Sequence, residues 1–406
     1  MLRLLTFSTL FPNPAQPNHG VFVENRLRHL VGSGAASSVV LAPVPYFPQG
    51  RFAARIGRIA FKGRDVAALA AVPPHEQRHG LAVHHPRFAA LPGIAARLTP
   101  DFIARVAAPV VAELIKDGHH FDAIDAHYLY PDGVAAVALG RRFNLPVVIT
   151  ARGSDVTQWP DYPTPRRRIQ HAIAEAAALI TVSAALGEEL VVLGADPVKV
   201  NVLRNGIDLA QFQPLDHAAM RTALGVSGLL LLSVGLLIPR KGHDKTIAAL
   251  ALLPDVTLII LGEGPERAAL QALAERLGVA DRVRLLGAKP HSELSRYYSA
   301  ADAMVLASSR EGWANVLLES MACGTPVLAS NIPGNPEVVQ SPEAGLILRQ
   351  NTPEGIAEAW HRLQAAVPDR SATRRYAERF GWDETTQGQL RVFHGVLAKR
   401  RAQSAD

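Results

Sequence analysis

The chain has 406 residues, of which 48% are hydrophobic and 19% charged, and its formal net charge is +6. This length allows two or three domains of roughly 100–200 residues each, and the composition is that of a globular protein with sizeable cores. The one cysteine, Cys323, excludes a disulfide framework, and no apolar run reaches the roughly 18 residues that a bilayer span requires.

The net charge and the N-terminal residues indicate which partners and which cellular location to expect. The positive charge fits either ordinary solubility or an anionic partner, such as a nucleotide, a phospholipid or a lipid-phosphate acceptor. No nucleic acid is expected, because the sequence has no basic run with interleaved aromatic residues and no zinc-finger spacing. The apolar run in residues 1–8 is too short for a signal peptide, so a cytoplasmic protein is the default expectation.

Short apolar runs rich in β-branched residues alternate with helical patterns along the whole chain. Such runs, with helices between them, predict an α/β fold built on parallel sheets that are covered on both faces. The predicted strands are Leu2–Ser8, Ser38–Ala42, Leu81–His84, Ala123–Ala126, Val147–Thr150, Leu179–Val182, Val200–Leu203, Leu229–Val234, Val256–Leu261, Val283–Leu286, Ala303–Ala307 and Val327–Ala329.

The pattern divides into two halves of the same kind. The best boundary lies near Phe212–Asp216, which predicts Rossmann-like domains at residues 1–212 and 213–383. A last helical pattern, from Glu384 to about Ala402, is expected to cross back onto the first domain. Ligand groups gather at the carboxyl ends of parallel strands, so a cleft between two facing domains is the expected site.

The N-terminal half offers three polar loops that follow predicted strands. The loop from Pro12 to Gly20 leads into a helix. It is either a plain strand-to-helix connection or a phosphate-binding loop, in which Gly20 lets main-chain N–H groups approach the phosphate. His19 either contacts a ligand or caps this loop. His127 follows the strand Ala123–Ala126, where it is either a ligand contact or a structural histidine. After the strand Val147–Thr150, Arg152 and Asp155 either face a ligand or form a pair that stabilises the loop.

The C-terminal half carries a basic segment and a pair of glutamates. Arg240 and Lys241 precede the N-terminus of a predicted helix, where the helix dipole disfavours cations unless an anion binds there. This position favours a phosphate site over a solvated basic pair. Glu311 and Glu319 flank the start of a short apolar helix that Gly324 ends. Carboxylates accept hydrogen bonds from sugar hydroxyls, so these residues predict a ligand with both hydroxyls and phosphate.

Taken together, these motifs give the chain a resemblance to the family 4 retaining glycosyltransferases of the GT-B fold. Glu311 and Glu319 match the family's E-x7-E motif, and Arg240, Lys241 and Gly242 match its R-K-G segment. The resemblance covers nearly the whole chain, and its other matches are Asn205, Gly206 and Asp208 of the N-G-x-D turn and the S-A-A-D segment of residues 299–302. The H-Y-L-Y-P-D-G segment of residues 127–133 and the A-R-G-S-D segment of residues 151–155 are similar to those of bacterial enzymes that build surface polysaccharides or teichuronic-type polymers.

The resemblance implies a hexosyltransferase that moves a sugar from a UDP- or GDP-linked donor to a glycan or lipid-linked acceptor. Glu311 would bind the transferred sugar, Glu319 the ribose, and Arg240 and Lys241 the leaving diphosphate. The residues implied as catalytic are Glu311, Arg240, Lys241 and His127. The implied donor-binding residues are Gly20, Arg240, Lys241, Glu311, Gly312, Trp313, Ala314 and Glu319. The acceptor side is expected at His19, His127, Arg152 and Asp155.

Two positions depart from the family pattern. Many members carry arginine after the glycine of V-G-R, where this chain has Leu236, and Arg240 is the residue expected to replace that charge. Many also carry a histidine that contacts the sugar where this chain has Arg152, so His127 or Arg152 is expected to substitute. The D-x-D motif is absent from the sequence, and no metal or other cofactor is expected because Arg240 and Lys241 offer the charge that a metal supplies.

Three alternatives remain open on the sequence. The segment Arg51–Arg64 is basic and amphipathic, and it is either a contact with an anionic membrane or a surface helix of the first domain. A UDP-sugar 2-epimerase has the same fold, although the E-x7-E and R-K-G segments disfavour it. A non-catalytic paralogue that binds nucleotide sugars is the alternative that Leu236 favours.

Overall fold

The computed structural model describes residues 1–46, 66–90 and 97–403, and strands and helices alternate through them. The strands are β1 (Leu2–Phe7), β2 (Ala36–Leu41), β3 (Val44–Tyr46), β4 (His75–Arg78), β5 (Leu81–His84), β6 (Arg87–Ala89), β7 (Ala123–His127), β8 (Val147–Ala151), β9 (Ala178–Thr181), β10 (Val200–Val202), β11 (Leu229–Val234), β12 (Val256–Leu261), β13 (Val283–Leu285), β14 (Ala303–Leu306), β15 (Val327–Ala329) and β16 (Gly345–Ile347). The predicted segment Arg51–Arg64 lies outside the described residues.

The α-helices follow the strands and cover the sheets. They are α1 (Val21–Gly32), α2 (Val66–Ala70), α3 (Thr99–Lys116), α4 (Val134–Phe143), α5 (Ser154–Thr157), α6 (Pro163–Glu175), α7 (Ala184–Val192), α8 (His217–Ala223), α9 (His243–Ala249), α10 (Arg267–Arg276), α11 (Leu294–Ala300), α12 (Asn315–Ala322), α13 (Asn335–Val338), α14 (Pro353–Ala365), α15 (Arg370–Ala377) and α16 (Trp382–Gln403). Within residues 1–46, 66–90 and 97–403, no helix is both long enough and apolar enough to span a bilayer.

Two large sheets confirm the predicted α/β class. The first has the order β10-β9-β8-β7-β1-β2-β5-β4, parallel throughout except where β4 pairs antiparallel with β5. The second has the order β13-β12-β11-β14-β15-β16 and is parallel throughout. In chain order the second sheet is 3-2-1-4-5-6, the doubly wound arrangement in which ligands bind where the strand order reverses. That reversal lies between β11 and β14.

The chain divides into two compact units, Met1–Arg204 with Asp383–Asp406, and Asn205–Trp382. The division therefore falls at Arg204 rather than at the predicted Phe212. Residues 205–212 belong to the second unit because they bond to its last helices: the Ile207 N–H donates to the Phe380 carbonyl, and the Arg374 guanidinium donates to the Phe212 carbonyl. The fully buried Phe212 ring packs edge-on against Tyr298 of the same unit.

The first unit buries the last helix against its sheet. Leu390, Phe393 and Val396 of α16 pack in one cluster with residues of β1, β8 and β9. Phe393 is fully buried, which contributes about 2 kcal/mol of hydrophobic stabilisation. The second unit has its own core, where Leu231, Leu258 and Val305 of the sheet pack with Trp360 of α14.

The predicted strand positions agree with the sheets to within a residue or two, and Leu81–His84, Leu229–Val234, Val256–Leu261 and Val327–Ala329 agree at both ends. His127, expected just past a strand, is instead the last residue of β7. Four strands were not predicted: β3, β4, β6 and β16. Each has only three or four residues, so pairing with neighbours defines it more than its own apolar pattern does.

Candidate functional site

The basic segment follows β11 at the point where the strand order of the second sheet reverses. Residues Pro239–Lys241 form one turn of 3-10 helix, and α9 begins at His243. Gly242 between them has φ +68°, and a Cβ at this position would lie 2.1 Å from the Ala307 carbonyl oxygen. Glycine is therefore required here for the basic turn to pack against the loop that follows β14.

Glu311 lies in that neighbouring loop and contacts both cations. Its carboxylate accepts a hydrogen bond from Lys241 Nζ at 2.6 Å and a longer one from Arg240 Nη1 at 3.4 Å. The Ser308 hydroxyl donates to it as well, at 2.7 Å. The loops are joined further where the Ser309 N–H donates to the Arg240 carbonyl. The structure thus brings together three predicted residues that are about seventy positions apart in sequence.

The Glu311 carboxylate is buried but ionised. Its side chain is 10% exposed and that of Lys241 is 14% exposed. Burial by itself would raise the pKa of Glu311, but the charge and hydrogen bond of Lys241, with Arg240 and Ser308, hold that pKa below its ordinary value. Two cations and one carboxylate leave this cluster with one net positive charge, which suits an anionic ligand.

Glu319 lies in the second turn of α12 and has different partners. Its Oε1 accepts a hydrogen bond from His291 Nε2 at 3.1 Å, and its Oε2 accepts one from the Tyr298 hydroxyl at 2.8 Å. Burial, with a smaller effect of Glu319, raises the pKa of Tyr298 well above its ordinary value, so this hydroxyl stays a donor. Sequence analysis singled out neither partner; His291 follows Pro290 in a loop after β13.

Residues 312–314 connect Glu311 to the first residue of α12. Gly312, Trp313 and Ala314 are all buried. The Trp313 ring packs against Phe380 with 6.3 Å between ring centroids. The predicted role of their main-chain N–H groups in sugar binding stays a prediction. Leu236, in contrast, is 58% exposed just after β11.

In the first unit, Arg152 and His127 meet at the ends of neighbouring strands. Arg152 Nη2 donates to His127 Nδ1 at 2.7 Å, and His127 Nε2 bonds to Asp125 Oδ2 at 3.2 Å. A guanidinium only donates, so Nδ1 accepts and the ring proton is on Nε2, facing Asp125. Burial lowers the pKa of His127, and Arg152 lowers it further although Asp125 opposes this. The imidazole is therefore neutral.

Asp155 holds the main chain of the same loop. Its carboxylate accepts hydrogen bonds from the N–H groups of Leu129, Arg152 and Gly153 at 2.6–3.0 Å. Such bonds shape the turn that positions the Arg152 guanidinium, which stacks over the Phe22 ring at 5.3 Å. The structure therefore gives Asp155 a structural role beside Arg152.

Hydrogen bonds join the loop after β1 to the segment that follows β7. Asp132, fully buried, accepts hydrogen bonds from Thr9 N and Thr9 Oγ1 at 2.9 and 3.0 Å, and the Thr9 carbonyl contacts His19 Nε2 at 3.2 Å. Burial raises the pKa of Asp132 to about 7 against the bonds from Thr9 and Ser8. Sequence analysis did not single out Asp132, although it stands in the P-D-G segment.

Gly20 begins α1 with φ +72°, a left-handed conformation that favours glycine. A Cβ at this position would lie 2.3 Å from the carbon and oxygen of the Leu10 carbonyl. The close approach that requires glycine here is thus to the chain itself. The predicted approach of this loop to a diphosphate stays a prediction, and so does the expectation that no metal is needed.

Family profiles match both halves of the chain. Residues 50–211 match the profile of Glycosyltransferase Family 4, and residues 222–380 match that of Glycosyl transferases group 1. The D-inositol 3-phosphate glycosyltransferase of Acidothermus cellulolyticus is 34% identical over 329 residues, which cover 73% of this chain and 72% of the relative.

Solved structures share the fold over nearly the whole chain. Sucrose-phosphate synthase from Thermosynechococcus elongatus superimposes with a TM-score of 0.77 at 19% identity, covering 98% of this chain and 100% of its own. HepE of Anabaena in complex with UDP and glucose gives 0.72 at 21% identity, covering 97% and 100%. The protein is a glycosyltransferase of the GT-B fold and belongs to glycosyltransferase family 4.

Proposed function

We propose that the protein transfers a hexose from a nucleoside-diphosphate sugar to an acceptor hydroxyl with retention at the anomeric carbon. The observation that carries this proposal is the cluster of the largely buried Glu311 and Lys241 with the partly exposed Arg240, beside the reversal of strand order in the second sheet. It combines a carboxylate for sugar hydroxyls with cations for a diphosphate. The second unit is accordingly the donor-binding one, and the first unit binds the acceptor.

The cations act on the charge that grows as the sugar–phosphate bond breaks. The transition state of glycosyl transfer is oxocarbenium-like, and negative charge develops on the departing phosphate. Lys241 gives one of its three N–H donors to Glu311, which leaves donors for phosphate oxygens. Stabilisation that is stronger in the transition state than in the bound donor raises the rate of transfer.

The two glutamates bind different parts of the donor. Glu311, held by Lys241 and Ser308, accepts hydrogen bonds from hydroxyls of the transferred sugar. Glu319, held by His291 and Tyr298, accepts them from ribose hydroxyls. The leaving phosphate oxygen takes the acceptor's proton, so the reaction needs no dedicated base. It needs no metal because Arg240 and Lys241 supply the positive charge.

The acceptor is proposed to be a growing glycan or a lipid-linked glycan of the cell surface, bound by the first unit near His19, His127, Arg152 and Asp155. The support is the resemblance of the H-Y-L-Y-P-D-G and A-R-G-S-D segments to those of surface-polysaccharide enzymes. D-inositol 3-phosphate, named for the Acidothermus relative, belongs in the same acceptor screen. A peripheral contact of Arg51–Arg64 with an anionic membrane is also proposed, and sedimentation with anionic liposomes at low salt tests it: no binding rejects it.

The experiment that tests the donor assignment starts with a thermal-shift screen of UDP-, GDP- and ADP-sugars. The sugar that stabilises the protein is then used in transfer assays with wild type, Glu311→Ala and Glu319→Ala. We expect Glu311→Ala to reduce turnover and Glu319→Ala mainly to weaken donor binding. Wild-type turnover in both variants would contradict the assignment.

The same assay separates the rival activities. A transferase forms a glycosylated product whose anomeric configuration, measured by NMR coupling constants, matches that of the donor. A 2-epimerase would instead change the donor without any acceptor, and a non-catalytic paralogue would bind the donor without forming product. An inverted product would overturn the retaining mechanism while leaving the transfer reaction in place.

A further inference from the structure

Glu319 is held in one orientation by side chains from two separate elements. His291 stands in a 3-10 turn (His291–Glu293) after β13, and Tyr298 lies on α11. Each donates to a different carboxylate oxygen, at 3.1 and 2.8 Å. A carboxylate oxygen has two lone pairs, so each still has one for a further hydrogen bond. The carboxylate is thus both fixed and able to accept from a ligand.

Gln211 determines which nitrogen of His291 carries the proton. The Gln211 amide nitrogen lies 2.8 Å from His291 Nδ1. With the amide N–H donating to Nδ1, the ring proton is on Nε2 and is donated to Glu319. The Phe212 ring packs edge-on against the imidazole, with 5.0 Å between ring centroids, and restricts its rotation.

Gln211 is in turn fixed by the N-G-x-D turn that the sequence analysis noted. Asp208 Oδ1 accepts the main-chain N–H groups of Ala210 and Gln211, each at 3.0 Å. The Ser295 hydroxyl donates to the Gln211 carbonyl at 3.0 Å. A continuous series of hydrogen bonds therefore runs from Asp208 through Gln211 and His291 to Glu319, entirely within the second unit.

We propose that His291 and Gln211 are positioning residues for the donor: they orient the Glu319 carboxylate toward ribose hydroxyls and so make the enzyme prefer ribonucleotides to 2′-deoxyribonucleotides. This inference rests on the proposed function, which places Glu319 at the ribose. Binding a ligand hydroxyl to a carboxylate that is already oriented costs less conformational entropy than binding it to a carboxylate that must first become ordered. The preference, rather than overall affinity, is therefore what His291 and Gln211 control.

The test compares the affinities of UDP and 2′-deoxy-UDP by calorimetry, with GDP and 2′-deoxy-GDP in parallel. Wild type should prefer the ribonucleotide by roughly 10- to 100-fold, the range expected for a hydrogen bond to a charged group. His291→Leu, which removes the donor to Glu319, should reduce this preference to about threefold or less. His291→Gln, whose amide N–H replaces Nε2–H, should retain most of it.

Two further variants keep the test decisive. Gln211→Leu, at a half-buried position, should reduce the preference even if His291→Leu fails to fold. His361→Leu, on the exposed face of α14, is the matched control and should leave the preference unchanged. Circular dichroism and thermal melting establish that each variant is folded.

The outcomes distinguish this inference from the proposed function. If wild type binds UDP or GDP without any preference for ribose, the assignment of Glu319 to the donor is wrong. If it binds neither nucleotide, the expected UDP- or GDP-linked donor is wrong. If Glu319→Ala loses the preference but folded His291→Leu and Gln211→Leu keep it, the assignment stands and the positioning inference is overturned. Equal loss of affinity for both nucleotides in the His291 and Gln211 variants also overturns it.

Discussion

The ion pair between Lys241 and Glu311 should contribute to the stability of the second unit as well as to catalysis. Breaking a buried ion pair by removing one partner costs about 3–5 kcal/mol, because the other charge is left unpaired. With both side chains 10–14% exposed, we expect about 3 kcal/mol for Lys241→Met or Glu311→Gln. The double variant should recover part of this loss, which gives a coupling energy of about 2 kcal/mol in a double-mutant cycle.

The assay is urea unfolding followed by tryptophan fluorescence. Three of the four tryptophans, Trp313, Trp360 and Trp382, lie in the second unit, so the signal reports mainly on its unfolding. Arg349 and Glu358 form the matched control, because they pair at 2.9 Å in the same unit with side chains 68% and 42% exposed. Exposed pairs of this kind couple by less than about 1 kcal/mol.

The pH dependence adds a second check. The pKa of Glu311 is held below its ordinary value of 4.5 in the folded protein. Its contribution is therefore complete above pH 4.5 and is lost as the pH falls through the folded-state pKa. A coupling energy for Lys241 and Glu311 no larger than that of the control pair near pH 7 would refute the argument.

Three further predictions concern the first unit and the chemistry. Gly20→Ala should destabilise the protein by at least about 2 kcal/mol more than Gly34→Ala, since both have φ near +72° but only at Gly20 would a Cβ meet main chain; equal melting temperatures would contradict this. The pKa of Asp132 is raised to about 7, so protonation stabilises the folded state below that pH; wild type should lose about 3 kcal/mol relative to Asp132→Asn between pH 5 and pH 8, and parallel stability profiles would disprove it. Transfer should survive EDTA, and loss of activity that Mn²⁺ restores would show that a metal is required.

Local sequence patterns were sufficient to predict most strands of the two large sheets. Runs such as Leu229–Val234 and Val256–Leu261 are apolar on both faces because helices cover both sides of a parallel sheet. The signal is contained in the strand itself, so its bounds could be predicted closely. In contrast, β16 (Gly345–Ile347) has three residues and is defined by its register with β15, which no local pattern encodes.

The donor cluster could be predicted in part because topology brings its loops together. Arg240 and Lys241 follow β11 and Glu311 follows β14, and these strands are neighbours although they are far apart in sequence. The partners of Glu319 were missed for the opposite reason. His291 and Tyr298 reach it from a turn and a helix whose packing depends on side-chain shape, and nothing in their own sequence context indicates that they meet a carboxylate.

The first unit places the predicted catalytic histidine in a position that favours a different role. Both ring nitrogens of His127 are in hydrogen bonds, with Arg152 donating to Nδ1 and Nε2 facing Asp125. Burial lowers the pKa of the imidazole, and the nearby guanidinium disfavours its protonation. A histidine in this state is a poor proton acceptor for a hydroxyl, and we infer that it orients Arg152.

Substitutions of His127 separate the two roles. Asparagine can accept from Arg152 through its amide oxygen, which replaces Nδ1, whereas leucine cannot. If His127 orients Arg152, His127→Asn should retain measurable transfer with an unchanged pH profile of kcat/KM, and His127→Leu should lose most of it. If His127 is instead a base, neither side chain can replace it, so equal loss of activity in two folded variants would refute the orienting role and restore the catalytic one.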